Sequence, residues 1–284
     1  MTIDMSTTRT DLALESVQAA RSGAEAGTIS GVRSRERTRE GYAVTDIRVE
    51  DEDGAQALGK PVGRYVTVDL GPYFRREADY FDRGVRCLAG ELAALLPEGP
   101  VLAAGLGNRA MTCDAVGPAS IDNLLVTRHM IRAMPRQFAD FRPVAAVCPG
   151  VLARTGLEAL ELVRGAVERV RPAAVIAVDA LASRSLRRVC RTIQLADTGI
   201  TPGSGVGNAR AALNAETLGV PVIAVGVPTV VDAATLTCDV LAEAGKGELN
   251  PAALQGAGVE FVIQQDRQNG SFFGIGLQLV PPLR

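Results

Sequence analysis

The sequence predicts an α/β fold: a mostly parallel central sheet with helices on both faces, a three-layer sandwich. Three observations carry that expectation. Four stretches, 101–107, 144–150, 173–180 and 221–227, are nearly continuous apolar runs, as strands covered on both faces must be. Helix-period patterns alternate with them, the clearest being "GLEALELVRGAVERV", whose apolar residues recur at three- and four-residue spacing. Strand–helix–strand alternation then calls for helices on the two faces of one sheet.

Further strands are expected at 43–49, 64–70 and 192–197; the first two alternate like half-buried edge strands. Helix-like stretches fall at 76–96, 119–133, 156–170, 208–218 and 232–245. The charge-dense "RSRERTRE" ahead of the first strand reads as solvated surface.

Bulk properties narrow the function classes. The 284 residues carry a formal net charge of −2, without the basic excess of a nucleic-acid coat, so no direct nucleic-acid partner is expected. No apolar run reaches transmembrane length and the N-terminus lacks a signal-peptide core, so a cytoplasmic protein without a membrane partner is expected. Five cysteines show no C-x-x-C pair; they read as small core residues in a reducing compartment, not as metal ligands or disulfides.

Sites in such folds form at the carboxyl ends of strands. "VLAAGLGNRAMTCDAVGP" places Asp114 just after one strand, and "VIAVDALASRSL" places Asp179 at the end of another; Asp197 follows a third. Each of the first two could be a helix cap, before "AVGPASIDNLL" and "ALASRSLRRV" respectively. Together at one sheet edge they make a paired acidic site, in which one carboxylate activates water and the other protonates a carbonyl. Two carboxylates can also hold a hard cation. "GSGVGN" (203–208) lacks the register of a phosphate loop and reads as a substrate-shaping loop. The single His129 sits in a helical pattern with no nucleophile elbow near it, so it reads as structural.

"RTDLALE" (9–15), "ALGKPVGRYVTVD" (57–69), "GLGNRAMTCDAVGP" (105–118), "PGVLARTGLE" (149–158), "VIAVDALASRSL" (175–186) and "TIQLADTGITPGSGVGN" (192–208) stand in the order seen in the germination proteases of spore-forming bacteria. The resemblance spans roughly residues 9 to 240. It implies a fold like that of hydrogenase-maturation proteases and an aspartic-type endopeptidase without a cofactor. It also implies small acid-soluble spore proteins as substrates, a self-processing zymogen, a homo-oligomer (tetramer or dimer), and a place in the forespore or spore core. Its proposed catalytic pair falls on Asp114 and Asp179. Asn108, Arg184, Asp197, Gly203, Ser204 and Gly205 are expected to bind substrate or shape the site.

The family's cut between an acidic and a large apolar residue, followed by alanine and a nearby acid, matches Asp11-Leu12-Ala13 with Glu15. This sets a propeptide of residues 1–11, a peptidase domain of 12–245 and a C-terminal extension of 246–284. The polar terminus is expected to be mobile and accessible. The chain departs from the family at Cys113, where proline is expected. Alternatives are a maturation-type metal-sensing protease of the same fold and a catalytically silent binding or assembly module.

Overall fold

A computed structural model describes residues 10–23, 29–207, 210–232 and 261–263. Its nine-stranded sheet has the order β1-β2-β3-β7-β8-β6-β4-β5, with β9 (Phe261–Ile263) pairing β8. In chain order these are β1 (Val32–Arg39), β2 (Tyr42–Val49), β3 (Gly63–Asp69), β4 (Val101–Leu106), β5 (Val144–Gly150), β6 (Ala174–Ser183), β7 (Thr192–Ala196) and β8 (Val222–Asp232). The helices are α1 (Ala13–Gly23), α2 (Glu52–Leu58), α3 (Gly71–Phe74), α4 (Tyr80–Ala93), α5 (Val116–Asp122), α6 (Arg128–Ala133), α7 (Leu152–Thr155), α8 (Ala159–Val170) and α9 (Ala215–Leu218).

The expected α/β sandwich is the one observed. The four continuous apolar runs are the parallel strands β4, β5, β6 and β8. The remaining strands pair antiparallel, so the sheet is mixed and not mostly parallel as expected, with β4, β5, β6 and β8 forming its parallel part. All six residues of β4 are buried because helices cover both of its faces. On one face α4 and α5 pack over Val66, Val68, Val178, Ile193 and Leu195. On the other, α8 and α9 cover Leu102, Ala104, Val175 and Ala177, and α1 covers Ile47, Tyr65, Ala196 and Ala224. Helix α8 starts at a capping box, in which Glu158 and Glu161 each accept from the other's backbone amide.

Several expectations need correction. "RSRERTRE" is exposed or half-buried throughout, as solvated surface should be, but the strand there was not foreseen: residues 32–39 form the edge strand β1. Charge on both faces suits an edge, since it discourages pairing with another chain. Inward, Arg37 grips the buried Glu91 of α4 with two 2.5 Å bonds and Arg39 adds a third at 3.2 Å. Burial alone would raise the Glu91 pKa, but these hydrogen bonds outweigh it and hold the carboxylate below its usual range. The helix expected over 208–218 is only α9. The helix expected from 232 lies beyond β8, outside the described residues, as does the extension from 246 except 261–263. Helix α1 was not foreseen.

Of the cysteines, Cys87, Cys113 and Cys190 are buried free thiols as expected and Cys148 is exposed; Cys238 lies outside the described residues. Among the described residues no helix is long and apolar enough to cross a membrane.

Removing Glu91 strands two guanidinium groups against α4. Glu91→Ala should cost about 3 kcal/mol, measured by urea unfolding. A loss near zero would show that the cluster does not pin the hairpin to the helix.

Candidate active site

The parallel strands end together, and there the chain builds its acidic cavity. After β4 the backbone turns at Gly107, whose φ of 104° is accessible to glycine and strained for other residues. A β-carbon at 107 would also collide with Asp114. The chain then makes a short 3-10 turn over Thr112–Asp114. Thr229 on β8 fixes that turn, donating its fully buried hydroxyl to the Cys113 carbonyl at 2.6 Å. The Cys113 thiol itself is buried on that turn.

Asp114 and Asp179 line one cavity of about 560 Å³, together with Leu106, Met111, Leu152 and Val230. Neither is a helix cap. Helix α5 begins at Ala115 without a side-chain cap, and β6 runs straight through Asp179 to Ser183. Asp114 accepts from the Asn108 amide at 2.7 Å. Burial raises its pKa, and that hydrogen bond opposes the rise. Asp179 is buried and, among the described residues, accepts from the Ala180 amide at 2.9 Å. Burial first, then the charge of Asp114, pushes its pKa well above the carboxylate range, with Asp11 adding to the rise. The two carboxyl groups are thus unlike: Asp179 lies deeper and its pKa is pushed further up, while Asp114 has the Asn108 N–H.

The N-terminal segment is not the free tail expected; residues 1–9 lie outside the described residues, but from Thr10 it is docked. Leu12 and Ala13 are fully buried. Asp11 pairs with β6, its amide on the Ala182 carbonyl at 3.0 Å and its carboxylate on the Ala182 amide at 2.8 Å. Ser204 donates to the same carboxylate at 3.0 Å, and a side chain at Gly205 would collide with it. The glycine-rich loop therefore admits the Asp11 carboxylate; Gly203 and Gly205 line the acidic cavity, and Ser204 lies outside it.

Glu15 is buried deeper, accepting from the Ser183 hydroxyl at 3.0 Å and the Arg184 and Ser185 amides at 2.7 and 3.0 Å. Arg188 reaches it at 3.3 Å, and Thr10 donates to it as well. Arg184 thus contributes its backbone here. Polar termini dock when they carry the groups a cleft was built for, and hydropathy does not record that.

A second cavity of about 420 Å³ shares Asp11, Leu181 and Gly205 with the first as a wall. It holds two residues that sequence reasoning missed. Lys60 donates to the Thr10 carbonyl at 3.0 Å; burial lowers its pKa, and the charges of Asp11 and Glu15 oppose this. Gln194, buried on β7, brackets the segment. Its signal was an amide in the otherwise apolar "TIQLA". Asp197 is not brought to the site. Because β7 runs antiparallel to β8, Asp197 emerges at the opposite sheet edge, accepting from the Arg64 amide at 2.7 Å. His129 is exposed on α6, which lines neither cavity. Among the described residues no cluster of three metal-ligating side chains occurs.

Comparison with known proteins gives a consistent result. The family model described as "Germination protease" matches residues 9–244. A germination protease of Caldanaerobacter subterraneus subsp. tengcongensis is 48% identical over 237 residues, covering 82% of this chain and 72% of the relative. One from Clostridium perfringens is 47% identical over 240 residues, covering 82% and 73%. One from Bacillus cereus is 44% identical over 241, covering 82% and 65%. Among solved structures, a NiFe hydrogenase maturation protease from Thermococcus kodakarensis matches with TM-score 0.28 and 17% identity, covering 46% of this chain and 74% of that one.

An acid whose pKa rises on folding binds more protons folded than unfolded, so its contribution to stability falls as pH rises above the unfolded value. Asp179→Asn removes that loss. Its melting temperature should exceed wild type at mildly alkaline pH by several degrees, at about 2–4 °C per kcal/mol, with the gap closing toward acid pH. Equal melting curves at all pH values would show that Asp179 is not held protonated.

Proposed function

The chain belongs to the germination protease family, and from that premise we propose that it is an endopeptidase opening the degradation of small acid-soluble spore proteins, made as a self-processing zymogen, with Asp114 and Asp179 activating water. The observation that carries this reading is the pair itself: two carboxylates in one cavity, both with raised pKa and only one with an external N–H donor.

The chemistry follows from the asymmetry. Ionised Asp114 takes a proton from a water as its oxygen adds to the peptide carbonyl carbon. Asp179 gives its proton to the carbonyl oxygen as the C=O π electrons move onto that oxygen. The tetrahedral species collapses as one of its hydroxyls returns a proton to Asp179, that O–H electron pair re-forming C=O and expelling nitrogen by cleavage of the C–N bond, while the proton held by Asp114 goes to the departing amine. The shared proton is thereby returned to the pair.

The docked N-terminus supports the zymogen reading. Thr10-Asp11-Leu12-Ala13 carries the acidic-apolar-alanine order of a cleavage site and lies against the cavity wall, with Glu15 held beyond it. A tethered segment binds its own cleft at high effective concentration. It blocks the cleft until its bond is cut. The proposed assembly is a homo-oligomer, tetramer or dimer. Supporting it, Leu124, Leu125, Met134 and Phe141 are exposed on the stretch leading into the edge strand β5. The proposed location is the forespore or spore core.

Two outcomes are expected. Asp114→Asn and Asp179→Asn, each folded by circular dichroism, should lower cleavage of a spore coat-protein substrate by at least about 10³-fold. Wild-type activity should survive chelation and follow a bell-shaped pH profile. Its two limbs, both displaced upward from ordinary carboxylate values, report macroscopic constants that belong to the pair. Turnover near wild type in either variant removes that residue; loss in chelator restored by one divalent ion favours the metal-sensing alternative.

Mild acid should also convert the full chain to one beginning at Leu12, read by N-terminal sequencing. A mature start elsewhere, or the same processing in Asp179→Asn alone, contradicts self-cleavage.

A further inference from the structure

We propose that Gln194 is a catalytic residue of this peptidase: its carboxamide grips the backbone on both sides of the bond to be cut and donates the hydrogen bond that stabilises the developing oxyanion. This rests on the aspartate-pair reading above. The Gln194 side chain is buried on β7, and it spends both ends on one peptide segment. Nε2 donates to the Asp11 carbonyl at 3.0 Å, and Oε1 accepts from the Ala13 amide at 2.8 Å. The Asp11 carbonyl belongs to the Asp11–Leu12 bond. A primary amide is suited to this because it offers a donor and an acceptor to an unpaired stretch of backbone, whatever side chains that stretch carries.

Sheet register connects this grip to the aspartates. Gln194 is paired with Gly226 on β8, and Gly226 with Asp179 on β6. Paired residues direct their side chains to one face, so Gln194 and Asp179 stand on the same face with a glycine between them. Two strand spacings separate their backbones by about 10 Å, the breadth of a bound polypeptide. The Leu181 side chain lies over Gly226, where any β-carbon would meet it, and Leu181 is part of the wall between the two cavities. In the docked state the carbonyl is therefore held by Gln194 and screened from Asp179. A rotamer change at Leu181 joins the cavities. Water then adds to the carbonyl carbon with its proton passing to Asp114, and the carbonyl oxygen, accepting from Gln194 Nε2, receives the Asp179 proton.

The test uses the full chain and the processed enzyme with a peptide carrying Asp-Leu-Ala-x-Glu. Gln194→Met keeps length and loses both polar ends; Gln194→Glu keeps an acceptor and loses the donor. Both should lower kcat and the first-order self-processing rate about 100-fold while the melting temperature is kept, and Gln194→Met should also raise KM. An ester replacing the N–H of the alanine, assayed on wild-type enzyme, should raise KM about tenfold; this arm does not depend on any variant folding. A kcat close to wild type in either folded variant, or an unchanged KM for the ester, overturns the proposal. If Asp114→Asn and Asp179→Asn are inactive while the Gln194 variants are not, only the Gln194 role falls. If the aspartate variants cleave normally, the underlying reading falls.

Discussion

Two carboxylates that line one cavity repel each other's charge, and burial adds to the cost of ionising both. The rest of this structure is arranged around that constraint. The low dielectric makes a second negative charge costly, which raises both carboxyl pKa values. In the proposed mechanism one proton stays with the pair, and which residue keeps it depends on a single backbone amide. Asp114 receives the Asn108 N–H, presented by the turn that Gly107 permits and Thr229 fastens; Asp179 sits on a buried strand with only its neighbour's amide. Fold and chemistry are joined there, because the same strand ends that close the core also set the proton's address.

The docked N-terminus adds a third carboxylate to this field. Asp11 lies close enough to push the Asp179 proton further toward being held, and it is itself seated by Ala182, Ser204 and the space at Gly205. Glu15 is buried on three donors from the β6 exit and an arginine. Burying Glu15 costs free energy unless it is hydrogen-bonded, and both of its carboxylate oxygens are. In the proposed zymogen the segment is thus a covalently attached ligand of the cleft. Opening the cleft to another polypeptide means replacing each of those bonds.

How much of this could be read in the sequence follows from what kind of pattern each feature leaves. Strands β4, β5, β6 and β8 were legible because burial on both faces writes a continuous apolar run. Asp114 and Asp179 were legible as carboxylates ending such runs. Asp197 looked identical in sequence, yet β7 is reversed, and strand direction leaves no local trace. The arginine-rich block hid β1 because an edge strand needs backbone pairing and not hydrophobicity. Lys60 and Gln194 were missed for a third reason. Their roles come from register across the sheet, Gln194 opposite Gly226 opposite Asp179, which no single stretch contains.

The central claim is that one proton resides on Asp179 while Asp114 is charged. Infrared difference spectroscopy at neutral pH measures this directly, since a protonated carboxyl and a carboxylate absorb at separate frequencies. The account predicts a protonated-carboxyl band in wild type that vanishes in Asp179→Asn and survives in Asp114→Asn. A wild-type spectrum without that band, or a band that follows Asp114 instead, would contradict it.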